Sequence, residues 1–309
     1  GVDIEYSAVS VDLNNQFTDF VTGLADSLHR GGKRLSITLP PPSNQRSAYD
    51  WKLLGEAVDF IKVLPIADPV SYWETMPGAL GKIGEDVDPR KVMLVISPFS
   101  MESGGTAKPI AYQQAMALAA EATVREPNPA DIKPGVTVRL VARNLDEGEG
   151  ASPIRWDNNA AALSFALGGT ERRRIFIENS FSFAFKLELA QAYGLAGVAV
   201  SDASAQSDVA SVWPTVNELV SSATVTLRRP NDNSLLPMWQ APDGGNLGAG
   251  AGTTATWIAP NPGEYSIVLV VSDGERRFGR KTLIEVKAGN ATSPTPLVTF
   301  PPESTPARA

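Results

Sequence analysis

Two carboxylates and a hydroxyl alternate along the first strand predicted for this 309-residue chain. Side chains alternate between the faces of a strand, so Asp3, Glu5 and Ser7 share one face and the apolar residues between them share the other. Like charges crowded on an inner face resist desolvation, so acids in this arrangement usually belong to a functional site. Asp3 and Glu5 could take part in catalysis, bind a ligand, or only hydrogen-bond neighbouring backbone and arginines such as Arg34 and Arg139. The pattern itself leaves these three alternatives open.

The composition excludes several kinds of site. The net charge is −7, which argues against a nucleic-acid or anionic-membrane surface, because phosphate binding needs clustered Lys and Arg. There is no cysteine, so a disulfide, a thiolate nucleophile and a Cys-based metal site are excluded. His29 is the single histidine, so neither a Ser-His-Asp triad nor a His-based zinc site can form. We expect no metal, no cofactor, no nucleic acid and no membrane span.

The order of predicted elements indicates a mixed α/β chain. Strands alternate with helices over the first two-thirds, which implies a parallel sheet with right-handed crossovers. Residues 104–173 interrupt this rhythm and are interpreted as an α+β insertion. After Trp213 short strands alternate with turns, which is typical of a β-sandwich. Residues 289–309 are rich in Pro, Thr and Ser and are predicted to be an extended tail.

The acidic strand resembles the signature strand of family 18 glycoside hydrolases, the chitinases and their relatives, which has the pattern Asp-Gly-x-Asp-x-Asp-x-Glu. The final Glu of that pattern protonates the glycosidic oxygen. The similarity covers about residues 1–215 and corresponds to the family's barrel from its fourth strand onward. The stretches that carry it are 1–7, 34–40, 59–64, 88–95, 178–186 and 193–200. The resemblance implies a partial (β/α)8 TIM-type barrel, strands 4–8, with the insertion after the seventh strand.

The same resemblance shows where this chain departs from the family. Ser7 stands at the position of the proton donor, and a serine hydroxyl is not a general acid near neutral pH. The sixth strand ends in Pro-Ile-Ala-Asp, so the family's Tyr is missing and Asp68 is a candidate for its Asp. Ser201 stands where the family generally has a Trp. We therefore expect no catalytic residue, a degenerate site at Asp3, Glu5 and Ser7, and ligand-binding candidates at Asp3, Glu5, Asp68 and Ser201.

A second resemblance concerns the C-terminal part of the chain. Residues 257–260, 263–265 and 271–274 resemble bacterial immunoglobulin-like or PKD-type domains, which commonly act as spacers in exported proteins. This predicts a barrel segment at 1–218, a sandwich at 219–288 and the tail at 289–309. We expect the sandwich strands to pair mainly with their neighbours in sequence and to close a core of their own. Trp239, Trp257 and Tyr265 are interpreted as core residues, with a sugar-stacking platform as the alternative.

Together the two resemblances imply an extracellular or cell-surface module that is catalytically silent and binds glycan or serves in assembly. One alternative is an active glycoside hydrolase on chitin-like or peptidoglycan glycans. Another is a structural subunit of a surface layer or filament. Strands 4–8 alone would leave sheet edges exposed, so we expect an upstream segment or a second chain to supply strands 1–3. A glycan is the other expected partner.

Overall fold

The computed structural model describes residues 1–43, 47–169, 173–203, 212–248 and 250–289. The strands are β1 Val2–Glu5, β2 Leu35–Leu39, β3 Phe60–Val63, β4 Val92–Ile96, β5 Ser100–Ser103, β6 Lys108–Ile110, β7 Ala122–Glu126, β8 Thr137–Ala142, β9 Arg155–Asp157, β10 Ala162–Ala166, β11 Arg174–Ile177, β12 Gly197–Val200, β13 Met238–Gln240, β14 Asn246–Gly248, β15 Thr254–Ile258, β16 Gly263–Ser272 and β17 Arg277–Val286. The α-helices are α1 Asn14–Arg30, α2 Trp51–Ala57, α3 Pro69–Asp86, α4 Tyr112–Ala119, α5 Ser180–Ala192 and α6 Trp213–Ser222.

A five-stranded parallel sheet forms the first layer, in the order β1-β2-β3-β4-β12. Its register pairs Ile4 with Ile37 and Asp3 with Ser36, so the apolar and polar residues of neighbouring strands share faces. The apolar face is buried, as expected for strands that helices cover. Its fully enclosed members include Leu35, Ile37, Leu39, Ile61, Val63, Leu94 and Ile96. The sheet is open, with β1 and β12 as its two edge strands. The expected alternation of strands and helices is therefore confirmed, whereas closure into a barrel stays a prediction.

The two helices that follow β2 and β3 begin at side-chain caps. Asp50 accepts a hydrogen bond from the Leu53 amide at the start of α2, and Asp68 accepts one from the Ser71 amide at the start of α3. Pro69 follows Asp68 at the first helical position, where its missing N–H leaves no bond unmade. These caps fix the exit of the chain from the sheet, and so they fix the loops at its carboxyl edge.

An antiparallel sheet in the order β6-β5-β11-β10-β9 combines strands of the insertion with β5 and β11, which lie just outside its predicted bounds of 104–173. Phe165 and Leu163 on β10 and Ile175 and Ile177 on β11 are buried. They belong to the same hydrophobic cluster as the apolar face of the parallel sheet. The insertion is therefore packed against the sheet layer through a continuous apolar core.

The other strands of the insertion pair with the C-terminal part of the chain. β15 lies beside β8, with Trp257 opposite Val138, and the resulting four-stranded sheet runs β14-β15-β8-β7. β16 and β17 form a long hairpin that β13 extends into a three-stranded sheet. β15 departs from the expectation that the C-terminal strands pair mainly with sequence neighbours, because residues 122–142 supply half of its sheet. No strand forms at residues 223–227, where one was predicted.

Polar contacts reinforce this junction. The Tyr112 hydroxyl donates to Asp273 Oδ2 at 2.9 Å, and Asn179 Nδ2 donates to the Asp273 carbonyl at 3.2 Å. Asp273 is 1% exposed. Trp239 and Trp257 are buried in the main cluster, which confirms their assignment to the core over a stacking platform. The boundary at 218/219 and the immunoglobulin-like character of 219–288 stay predictions, and the tail after residue 289 lies outside the described residues.

Candidate functional site

Asp3 lies on the open, polar face of the parallel sheet. The Ser36 hydroxyl donates to Asp3 Oδ1 at 2.5 Å, and the Thr38 hydroxyl donates to Oδ2 at 3.2 Å. Lys62 Nζ lies 3.2 Å from Oδ1, and the two side chains keep 27% (Lys62) and 39% (Asp3) of their surface exposed. Three donors on two adjacent strands therefore hold the carboxylate in a fixed orientation while it stays open to solvent.

Sequence reasoning missed Lys62 and named the wrong partners for Asp3. Arg139 lies on β8 in a different sheet and is exposed, and Arg34 makes no hydrogen bond to Asp3. Lys62 could have been found, because residues 60 and 62 alternate with the buried Ile61 and Val63 on β3. A lysine at such a position faces the same side of the sheet as the acids of β1.

Glu5 and Ser7 follow Asp3 toward the carboxyl end of β1. Glu5 shares its face, and neither Glu5 nor Ser7 makes a side-chain hydrogen bond or ion pair with another described residue. Both are exposed. Glu5 therefore has no described partner that fixes the orientation of its carboxylate.

Asp68 and Ser201 lie at the same carboxyl edge, but on other loops. Asp68 Oδ2 accepts from the Ser71 hydroxyl at 2.7 Å and from the Ser71 amide at 3.3 Å, so this carboxylate caps α3. Ser201 follows β12, at the opposite edge strand from Asp3, and its amide donates to the Ile96 carbonyl at 3.0 Å. The structure gives no direct contact among Asp3, Asp68 and Ser201. Their roles in ligand binding stay predictions.

A second polar cluster is buried between the two five-stranded sheets. Glu178 ends β11 and is 5% exposed, Lys186 Nζ lies 2.5 Å from Glu178 Oε2, and the Ser182 hydroxyl donates to Oε1 at 2.8 Å. Burial raises the pKa of Glu178, although Lys186 and Ser182 oppose that shift. The asparagine between strand and helix, Asn179, forms a capping box with Ser182.

The pocket beside Glu178 is mostly apolar and has a volume of about 60 Å³. Tyr72 lines it, with a buried hydroxyl that finds no partner among the described residues and with Lys186 Nζ 5.9 Å from its ring centroid. A carboxyl with a raised pKa could serve as an acid. Here, however, both of its oxygens are engaged, one by Lys186 and one by Ser182. The cluster is therefore read as a structural element that fixes α5 to β11.

No metal centre is found among the described residues, since no group of three or more His, Asp or Glu side chains converges there. Asp243 and Asp273 are too sparse to form the oxygen-rich cage that Ca²⁺ requires. The Asp273 carboxylate accepts from the amides of Glu275 and Arg276, and Asp243 accepts from the Ser266 amide at 2.8 Å. These bonds hold turns of the chain. Likewise, within the described part of the chain, no helix has the length and apolarity that a membrane crossing requires.

Comparison with solved structures places the fold. A chitinase from Chromobacterium violaceum ATCC 12472 matches with a TM-score of 0.54 and 23% identity, over 72% of this chain and 66% of that one. The chain thus spans just under two-thirds of that chitinase. A chitinase-like mixed α/β fold is shown by this match, and the resemblance of the opening strand to family 18 is consistent with it.

Two further structures fall below a TM-score of 0.5 and add no support. They are a class V chitinase from Pseudomonas fluorescens Pf-5, at 18% identity and a TM-score of 0.48, and the spore cortex-lytic enzyme SleL of Bacillus megaterium QM B1551, also at 18% and 0.48. They cover 72% and 64% of this chain, and 67% and 44% of their own. No protein-family model matches the sequence, and no curated protein matches it.

Proposed function

We propose that this chain is a glycan-binding module of the cell surface that has a chitinase-like fold and no hydrolytic activity. The single observation that carries the proposal is how neighbouring side chains hold the Asp3 carboxylate. Three donors orient its carboxylate on an open face, which suits recognition of a hydroxyl or amide N–H on a sugar. No neighbouring group is placed to protonate a glycosidic oxygen there.

The loss of hydrolysis follows from the residue types at the end of β1. General acid catalysis contributes about 10²- to 10⁴-fold in rate, and the hydroxyl of Ser7 is too weak an acid to donate its proton near neutral pH. The buried Glu178 is engaged by Lys186 and Ser182. Neither Ser7 nor Glu178 therefore supplies the free acid that hydrolysis requires.

The proposal includes a partner that completes the sheet. β1 and β12 each pair on one side only among the described strands, and the polar face of β1–β3 is partly exposed, at Asp3 and Glu5 most of all. Unpaired edges and an uncovered face are normally covered in native proteins. We expect another segment of the protein, or a second chain, to provide the strands that close the barrel around Asp3 and Lys62.

Binding of N-acetylglucosamine oligomers to the full chain, measured by calorimetry, tests the recognition role. Asp3→Asn and Lys62→Gln should each weaken binding about ten- to hundredfold, because each removes a charge-assisted contact worth about 1.5–3 kcal/mol. Asp12→Asn is the matched control, since Asp12 is exposed and makes no contact with the face. Absence of binding to any glycan on an array would favour the structural-subunit alternative and defeat the proposal.

Turnover of a chromogenic N-acetylglucosaminide tests the silent character separately. The wild-type chain should release chromophore at the background rate. Clear turnover that Asp3→Ala abolishes would establish the active-hydrolase alternative instead.

A further inference from the structure

A polar groove lies between the insertion and the segment that precedes β13. One wall is Ile154, Arg155, Trp156 and Asn158, and the other is Arg229 to Asn233 with Leu236. Its volume is about 840 Å³, within the range of roughly 300–1,000 Å³ typical of small-molecule sites. The groove is separate from the face that carries Asp3, and the proposed function does not use it.

Arg229 is the chemically distinctive member of this groove. Its guanidinium carbon lies 5.8 Å from the ring centroid of Trp156, which is a cation–π arrangement. Trp156 in turn packs on Phe185 at 5.5 Å between ring centroids. Within the part of the chain that the structure describes, Arg229 has no carboxylate partner. The aromatic stack therefore holds an exposed guanidinium in place while its N–H donors stay unused.

The other polar residues that line the groove are three asparagines, one further arginine and one aspartate. Asn158 and Asn233 make no side-chain hydrogen bond with another described residue, whereas Asn231 accepts from the Asn233 amide at 2.9 Å. Arg155 is paired with Glu147 at 3.1 Å, and Asp232 places one carboxylate on the rim. Two arginines thus face one aspartate, in a chain whose net charge is −7.

We infer that this groove binds a carboxylate-bearing saccharide. A guanidinium presents parallel N–H donors that match a carboxylate bidentately. The free amides of Asn158 and Asn233 can each donate to and accept from sugar hydroxyls. The carboxylate part of the inference rests on Arg229 alone, and the saccharide part rests on the proposed function. If Arg229 served only to stack on Trp156, the groove would show no preference for acidic over neutral sugars.

Calorimetry on the full chain with trigalacturonate and its methyl ester tests the inference, because esterification removes the charge of each carboxylate and adds only a methyl group. The acid should bind at least about tenfold more tightly than the ester, the range expected for one charge-assisted contact. Arg229→Gln should reduce binding of the acid to the level of the ester. Trp156→Phe should weaken it less, because Phe still stacks on the cation but attracts it less strongly.

Arg228→Gln is the matched control, since Arg228 is adjacent in sequence and does not line the groove. Equal binding of acid and ester, no binding of either, or an equal loss in Arg228→Gln would overturn the inference. The melting temperature of each variant shows whether it folds. Arg229→Gln should leave binding of neutral N-acetylglucosamine oligomers unchanged. Failure of those oligomers to bind the wild type would therefore count against the proposed function and not against the carboxylate site.

Discussion

Removing the charge of Lys186 should destabilise this protein strongly, because it leaves Glu178 buried without its cation. The side chains are 6% exposed for Glu178 and 19% for Lys186, and among the described residues the Ser182 hydroxyl, at 2.8 Å, makes the other side-chain hydrogen bond to the carboxylate. Lys186→Met keeps an unbranched side chain of similar length and deletes only the ammonium group. Breaking a buried pair in this way typically costs about 3–5 kcal/mol.

The loss should depend on pH, with a sign that follows from the raised pKa of Glu178. When the folded-state pKa of an acid lies above its unfolded value, the folded state holds more protons, and its stability falls as pH rises through that interval. The ordinary value is 4.5, and burial already raises the pKa despite Lys186. Without the lysine the pKa rises further. The destabilisation should therefore be small near pH 4 and grow toward neutrality.

Urea denaturation of the full chain, followed by tryptophan fluorescence at pH about 4 and about 7, measures both quantities. Lys62→Met is the matched control, because the Lys62–Asp3 pair is partly exposed and such pairs contribute about 0–1 kcal/mol. If Lys186→Met loses less than about 1 kcal/mol at neutral pH, or loses the same at both pH values, the ion pair is not the buried structural contact described here.

Three further predictions concern the fold and the missing acid. Ser7→Glu should leave hydrolysis of N-acetylglucosamine oligomers near background, because the family's Tyr and Trp are absent too; a rate gain of more than about tenfold would show that only the acid was missing. Asp59→Asn should cost about 1–2 kcal/mol in urea unfolding at neutral pH, because Asp59 Oδ2 holds both His29 Nε2 at 2.9 Å and the Leu35 amide at 2.8 Å. The His29 hydrogen bond lowers the pKa of Asp59. The stability that Asp59 contributes should therefore be present above the ordinary pKa of 3.8 and disappear as the pH falls below that value. A destabilisation by Asp59→Asn that persists in acid would contradict the assignment. A fragment of residues 219–289 should stay unfolded by circular dichroism, since β15 needs β8 as its neighbour; a cooperative thermal transition would refute this.

Periodicity predicted the parallel sheet well, because its strands obey local rules. Leu94 and Ile96 on β4 and Ile61 and Val63 on β3 are buried, whereas Val198 and Val200 are only half-buried on the edge strand β12. An edge strand has a neighbour on one side only, so the same apolar pattern buries less surface there. Sequence pattern gives the face of a strand but not its place in the sheet.

The pairing of β8 with β15 could not be predicted in this way. Strands with similar alternation can pair with any compatible partner, and more than a hundred residues separate Val138 from Trp257. The turn signals around residues 231–274 favoured local hairpins, and one such hairpin, β16–β17, does form. The remaining pairing is decided by how the insertion packs on the sheet layer, which no local pattern encodes.

The candidate site shows the same division between what a strand pattern fixes and what packing fixes. Alternation placed Asp3 and Glu5 on one face, and the register confirms that they share it. It could not tell that Ser36, Thr38 and Lys62 would converge on Asp3 while Glu5 received no partner. The three donors hold the Asp3 carboxylate in place on an exposed edge of the sheet. What such a group retains is a fixed orientation and an exposed edge, and these properties serve the binding of a polar ligand better than the transfer of a proton.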